Sequence, residues 1–207
     1  TRFNFKIGGQ FKSINSYNES WTPEDTTRSG TIIPANTISY NPDATTKAAL
    51  FLQTSYRIVD PLIINAGLRY DYFALTSENN FSPRISLSYN ITDKTIFNLA
   101  WGRYYQSPAS YQVAPDVRNL SLKSSYATHY IAGIEQRLGY DTKVSIEIYH
   151  KELANLFVDP DSSKLLLNTG SGYAQGIEFA LQKKFTAGFV GSASYSYSMS
   201  KRRDYES

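Results

Sequence analysis

Residues 82–106, SPRISLSYNITDKTIFNLAWGRYYQ, constrain this chain most, because they read as a hairpin with one apolar and one polar face. Ile85, Leu87, Tyr89 and Ile91 alternate with Arg84, Ser86, Ser88 and Asn90. After the polar turn Thr92-Asp93-Lys94 the pattern resumes, with Phe97, Leu99 and Trp101 against Asn98, Ala100 and Gly102. Successive side chains of a strand point to opposite faces, so each arm is a two-faced strand. Each arm runs for about ten residues, the length a tilted strand needs to cross a bilayer.

The same grammar recurs along the chain. A first strand over about 2–13 sets Phe3, Phe5, Ile7 and Phe11 against Asn4, Lys6, Gln10 and Lys12. Strands over about 48–58 and 62–73 precede the opening hairpin, which supplies the fourth and fifth. Four more are predicted over 126–138, 143–151, 174–184 and 189–200. The connections alternate in length. Those near 59–61, 92–94, 139–142 and 186–188 are short, whereas those near 16–46, 74–81, 107–123 and 154–172 are long and polar. An outer-membrane barrel sorts its loops this way, with short periplasmic turns and long extracellular loops.

Composition agrees with strands in a membrane. No stretch approaches the 18 or so apolar residues of a spanning helix. Seventeen tyrosines and 11 phenylalanines against a single methionine suit strands and interfacial aromatic belts. A mean hydropathy of −0.39 fits a barrel whose strands are wet on one face. The net charge of +3 is dispersed, which argues against a nucleic-acid partner. The chain has no cysteine, so disulfides and thiolate metal sites are excluded.

The fold expected is therefore all-β, an antiparallel up-and-down transmembrane β-barrel. Nine strands that start and end in the same direction do not complete a bacterial single-chain barrel, which has an even number. An open edge in hydrocarbon leaves backbone groups unpaired at several kcal/mol each. Residues 1–207 are accordingly expected to be a partial barrel domain, a segment of a larger protein. The opening TRFNFKIGGQF is already strand-like, and an export signal is expected upstream of it.

Four segments resemble the barrel of TonB-dependent outer-membrane receptors, in the family's order. AALFLQTSYRIVDPLIINAGLRYDYF (48–73) resembles its strand pair ending in Gly-Leu-Arg-Tyr-Asp, and FSPRISLSYNITDKTIFNLAWGRYYQSP (81–108) its Ser-Pro-Arg hairpin. YIAGIEQRL (130–138) and NTGSGYAQGIEFALQKKF (168–185) resemble the later strands, the last with its Gly-Ile-Glu element. The wording of these last two is most similar to Bacteroidetes-type receptors. The resemblance implies a barrel of about 22 strands with a plugged lumen. It also implies an N-terminal plug, C-terminal strands and an energy-coupling segment that are not in these residues. The implied role is to bind a scarce extracellular nutrient and import it, driven through the plug by the TonB complex. Implied partners are outer-membrane lipid, the plug, the TonB complex and a small nutrient ligand. The implied location is the outer membrane of a Gram-negative bacterium.

Candidate site residues fall into two groups. Trp101, Arg103, Tyr104, Tyr105, Tyr111 and Arg118 gather in sequence near the outer end of the fifth strand, as ligand-binding vestibule candidates or as an interfacial girdle with snorkelling arginines. Arg69 with Asp71, and Glu135 with Arg137, share strand faces and are lumen-facing candidates, in contact with water or a plug or paired across strands. Gly67, Gly102, Gly133 and Gly176 fall on the same inner face, where wall curvature or a close-approaching plug side chain needs space. His129 and His150 are the only histidines and sit on opposite faces, giving no metal site or catalytic triad. Asp159-Pro160-Asp161 lacks the further acidic residues of a calcium loop and reads as a turn. Neither a cofactor nor an enzymatic activity is expected. Two other readings share parts of the pattern: a passive porin-like channel or adhesin barrel without a plug, and a soluble all-β structural protein.

Overall fold

The computed structural model describes residues 2–26, 30–40, 45–160, 165–186 and 188–204. Asp161 of the Asp-Pro-Asp turn, Ala187 of the last short turn and part of the first long loop lie outside the described residues. Nine strands form one antiparallel sheet in strict chain order. They are β1 (Phe3–Ile14), β2 (Thr45–Val59), β3 (Leu62–Phe73), β4 (Glu78–Thr92), β5 (Thr95–Gln106), β6 (Ser125–Leu138), β7 (Thr142–Val158), β8 (Leu167–Thr186) and β9 (Phe189–Arg203).

The register aligns the two-faced strands into continuous rows. One apolar row crosses the whole sheet: Phe3, Tyr56, Ile64, Leu87, Leu99, Ala132, Ile148, Ile177 and Tyr197. A second runs through Leu62, Tyr89, Phe97, Ile134, Ile146, Phe179 and Tyr195. Between them lies a row of the other parity, with Ser88, Asn98, Gly133, Glu147, Glu178 and Ser196. A slip of one residue at any ladder would mix the faces, so the alternation itself holds the register.

Among the described residues, none covers the apolar face. Ile7 is 71% exposed, Leu50 64% and Tyr197 60%. The chain exposes 13971 Å², against roughly 9,700 Å² for a compact monomer of this mass. An apolar surface this continuous requires a partner or a lipid medium.

The short turns share one edge of the sheet. There Asn90 N–H donates to the Pro61 carbonyl (2.7 Å), Arg137 N–H to Lys94 (2.8 Å) and Lys184 N–H to Asp141 (2.8 Å). Gly139 and Gly188 close two of these turns at φ +73° and +82°, a region that favours glycine.

The opposite, long-loop edge departs from the sequence expectation. β4 begins at Glu78, β7 continues to Val158 and β8 spans Leu167–Thr186, so segments read as loop extend the ladders. Residues beyond a bilayer are wet on both faces and carry no alternation to reveal them. The first long connection is a hairpin rather than a loop: Asn18–Thr22 pairs with Asn36–Tyr40, and Asp25–Thr26 with Ile32–Ile33.

Candidate functional site

What core exists lies at the long-loop edge. Among the described residues, the buried apolar side chains are Ala49, Phe73, Pro108, Val113, Leu122 and Val158. They sit at strand ends or in the connection 107–124, which contains a one-turn helix (Ser110–Val113) and a 3₁₀ turn (Val117–Ser121). Polar side chains stitch this connection down as a cap. Asn119, with 0% exposure, donates to the Gln112 carbonyl (2.9 Å) and accepts from Leu166 N–H (2.9 Å). Asn168 accepts from Lys123 N–H and donates to the Lys123 and Asn155 carbonyls, at 2.9–3.0 Å. Glu78 accepts both the N–H and the hydroxyl of Ser124 at 2.5 Å, and Asn80 donates to that hydroxyl (2.9 Å).

The cap is seated where two strands part. The β4–β5 ladder ends at Arg84 opposite Gly102, although β4 still pairs with β3 back to Glu78 and β5 with β6 out to Gln106. The next β4 residue is Pro83, which has no N–H to donate. Glu78, Asn80 and the cap's Ser124 meet at this end of β4, so the cap supplies hydrogen bonds where the ladder gives none.

Beneath the cap, on the polar face, is a cavity of about 440 Å³ whose lining includes Gln10, Lys12, Lys47, Arg69, Asp71 and Pro108. Arg69 holds Asp71 with two nitrogens, Nε to Oδ2 at 2.8 Å and Nη2 to Oδ1 at 2.7 Å. The pair lies within one strand, not across two. Glu135 is instead paired with Lys143 of β7 at 3.0 Å, near the short-turn edge, while Arg137 lies opposite Lys143 in the ladder. The two expected lumen pairs are therefore at opposite ends of the sheet.

The six vestibule candidates do not come together. Alternation along β5 puts Trp101, Arg103 and Tyr105 on the apolar face and Tyr104 on the polar one. Trp101 lines a shallow groove with Ile64, Leu87, Leu99 and Ile148. Arg103 lies over the Tyr126 ring (4.7 Å), which also packs on Tyr105 (5.4 Å). Tyr104 packs on His129 (4.6 Å) and under Arg84 (5.4 Å). Tyr111 is 68% exposed on the cap helix. Arg118, on the 3₁₀ turn, embraces Asp116 through Nε (3.0 Å) and Nη2 (2.6 Å). These hydrogen bonds hold the Asp116 carboxyl below the usual carboxylate range.

Most of the inner-face glycines make room for wall side chains, and at Gly133 the tightest neighbour is the Ile146 carbonyl oxygen, 3.3 Å from an added Cβ. A Cβ on Gly67 would meet Arg84 Cγ at 3.1 Å, and one on Gly102 would meet Arg84 Cβ at 3.2 Å, so Arg84 lies across both. Tyr149 fills the place beside Gly176, and Phe51 that beside Gly8. His129 and His150 stand on opposite faces, and among the described residues no group of three or more His, Asp or Glu could hold a metal.

Two residues were missed from sequence. Lys12 and Lys47 face each other directly across β1 and β2, with the Lys47 ammonium 4.0 Å above the Phe73 ring. The polar parity of Lys12 was legible, but only the register brings it to Lys47.

Residues 1–207 match the family model described as TonB dependent receptor-like, beta-barrel. The chain belongs to this family. Over 108 residues it is 26% identical to the ferrienterobactin receptor of Escherichia coli K12, covering 52% of this chain and 14% of that protein. Among solved structures, the ferric enterobactin receptor PfeA of Pseudomonas aeruginosa superimposes with a TM-score of 0.73 at 16% identity, covering 95% of this chain and 33% of that one. The siderophore receptor PirA of the same organism gives 0.71 at 16% identity, covering 96% and 37%. These likenesses show the fold, and this TonB-dependent receptor barrel segment spans about a third of those chains. The family comprises outer-membrane transport receptors, not enzymes. Its barrels turn their apolar face to lipid and their polar face to the lumen, with the long-loop edge outside.

Proposed function

We propose that this segment is the wall and part of the extracellular vestibule of a receptor that binds a scarce nutrient outside the cell and imports it by TonB-coupled transport. The nine-strand apolar row backed by a polar, charged face carries this reading, because it suits a wall between lipid and a lumen holding water or a plug. The named relatives bind ferric siderophores, which makes an iron chelate the first nutrient to try. In this reading the plug and the remaining strands belong to the rest of the protein. Arg69, Asp71, Glu135 and Arg137 face the lumen, and Tyr104, Tyr111 and Arg118 are the vestibule candidates that remain on the polar face or in the cap.

The test is uptake by the source bacterium on limiting ferric siderophore, with the full-length gene intact or deleted, in cells with and without a working TonB complex. Growth that requires both supports the proposal. Uptake that needs the gene but not TonB points to a passive channel.

A further inference from the structure

Where β4 and β5 part, the wall has a gap. Beyond Gly102, β5 runs on through Arg103–Gln106 with no partner on β4, a length of about 13 Å at the rise of a strand. On the apolar face the flanking side chains turn away from this gap. Phe81 of β4 packs on Tyr70 of β3 at 5.1 Å, while Arg103 and Tyr105 of β5 both pack on Tyr126 of β6. On the polar face Arg84 lies over the Tyr104 ring at the foot of the gap. Above that point the cap joins the two sides, through the bonds of Ser124 to Glu78 and Asn80. The cavity beneath the cap reaches the gap, since its lining includes Asn80 from β4 and Tyr105 and Gln106 from β5. Tyr105 belongs by alternation to the apolar face, so the cavity meets the other side of the wall there.

We propose that the gap is a side window through which a single-chain amphiphile passes from the outer leaflet into the cavity, with the cap as its latch. Unpaired backbone is not tolerated in hydrocarbon, so the window stands at the level of the lipid headgroups. Its aromatic rim suits an acyl chain, and the polar cavity behind it suits a hydrated head. Opening breaks the bonds of Ser124 to Glu78 and Asn80 and leaves the β3–β4 and β5–β6 ladders intact. The proposal rests on the receptor reading for placing this edge outside the cell. It adds a route from the membrane to the one from the medium.

Residues 1–207 contain no cysteine, so a cysteine pair introduced here has no thiol competitor among them. The full-length receptor, freed of any cysteine elsewhere, is placed in phospholipid vesicles with a fluorescent unnatural amino acid at Lys12, across the cavity from the window. The probes are a lysophospholipid with a nitroxide on its headgroup, and iodide in the outer solution. Both should quench the fluorophore. Joining Asn80→Cys to Ser124→Cys with a short thiol cross-linker should cut lysolipid quenching about threefold, because the open population is removed, and leave iodide quenching unchanged. Should the cysteine pair fail to assemble, Ser124→Ala decides: it weakens the latch and should raise lysolipid quenching alone. Four results would overturn the window: no lysolipid quenching in the unlinked protein, equal quenching with and without the link, a link that blocks iodide as well, or Ser124→Ala quenched like wild type. None of these readouts involves TonB, so the receptor reading stands or falls on the uptake test by itself.

Discussion

Tyr149 and Gly176 face each other directly across β7 and β8, and the tyrosine ring occupies the space a side chain at 176 would need. A Cβ there would lie 2.8 Å from Tyr149 Oη and 2.7 Å from the Tyr197 carbonyl oxygen. The ring can swing away, but the backbone of β9 cannot. Gly176→Val should therefore destabilise the full-length protein by about 1–3 kcal/mol. Adding Tyr149→Ala should recover only the part due to the ring. Urea unfolding in lipid vesicles measures both, and an unchanged midpoint for Gly176→Val would refute the packing described.

The two faces should differ sharply in their tolerance of charge. Leu99→Arg, in the nine-strand apolar row, should cost about 2–4 kcal/mol at midplane depth. Ser196→Arg lies on the polar face opposite Glu178 and should change stability by no more than about 0.5 kcal/mol. Equal penalties in vesicle-folding titrations would mean that the faces are wrongly assigned.

The cap should loosen without the wall. Asn119→Ala leaves the Leu166 N–H and the Gln112 carbonyl without their buried partner, at about 1–3 kcal/mol. Hydrogen exchange should rise across 107–124 while β3 and β5 keep their protection. Uniform loss of protection would show that cap and wall unfold together.

Acid should release the Asp116–Arg118 turn. The Asp116 carboxyl is held low, chiefly by the Arg118 side chain and then by its N–H. A carboxyl whose folded value is depressed contributes above its unfolded value, and the contribution is lost as pH falls through the folded one. Amide exchange at Arg118 should accelerate on acidification through that range. In Arg118→Ala the transition should move up toward ordinary carboxylate values, and an unmoved transition would discount the pairing.

Alternation is a local property, so the sequence by itself determined which side chains of each strand share a face, where the short turns fall and which family the chain resembles. That Arg69 and Asp71 share a face was legible for the same reason, but that they pair with each other within one strand, rather than across strands, is seen only in the structure. Glu135 does pair across the ladder, but which residue it meets there, Lys143, depends on the register. The vestibule candidates were grouped by nearness in sequence, and alternation along β5 divides them between two faces. The long-loop ends of β4, β7 and β8 escaped because residues wet on both sides carry no period. Only the tertiary structure decided the register, and with it the meeting of Lys12 and Lys47, the fit of Tyr149 over Gly176, and the seating of a cap where Pro83 ends a ladder. Each of these depends on which residue stands opposite another across separate strands, a non-local choice made by packing and hydrogen bonding along the whole sheet.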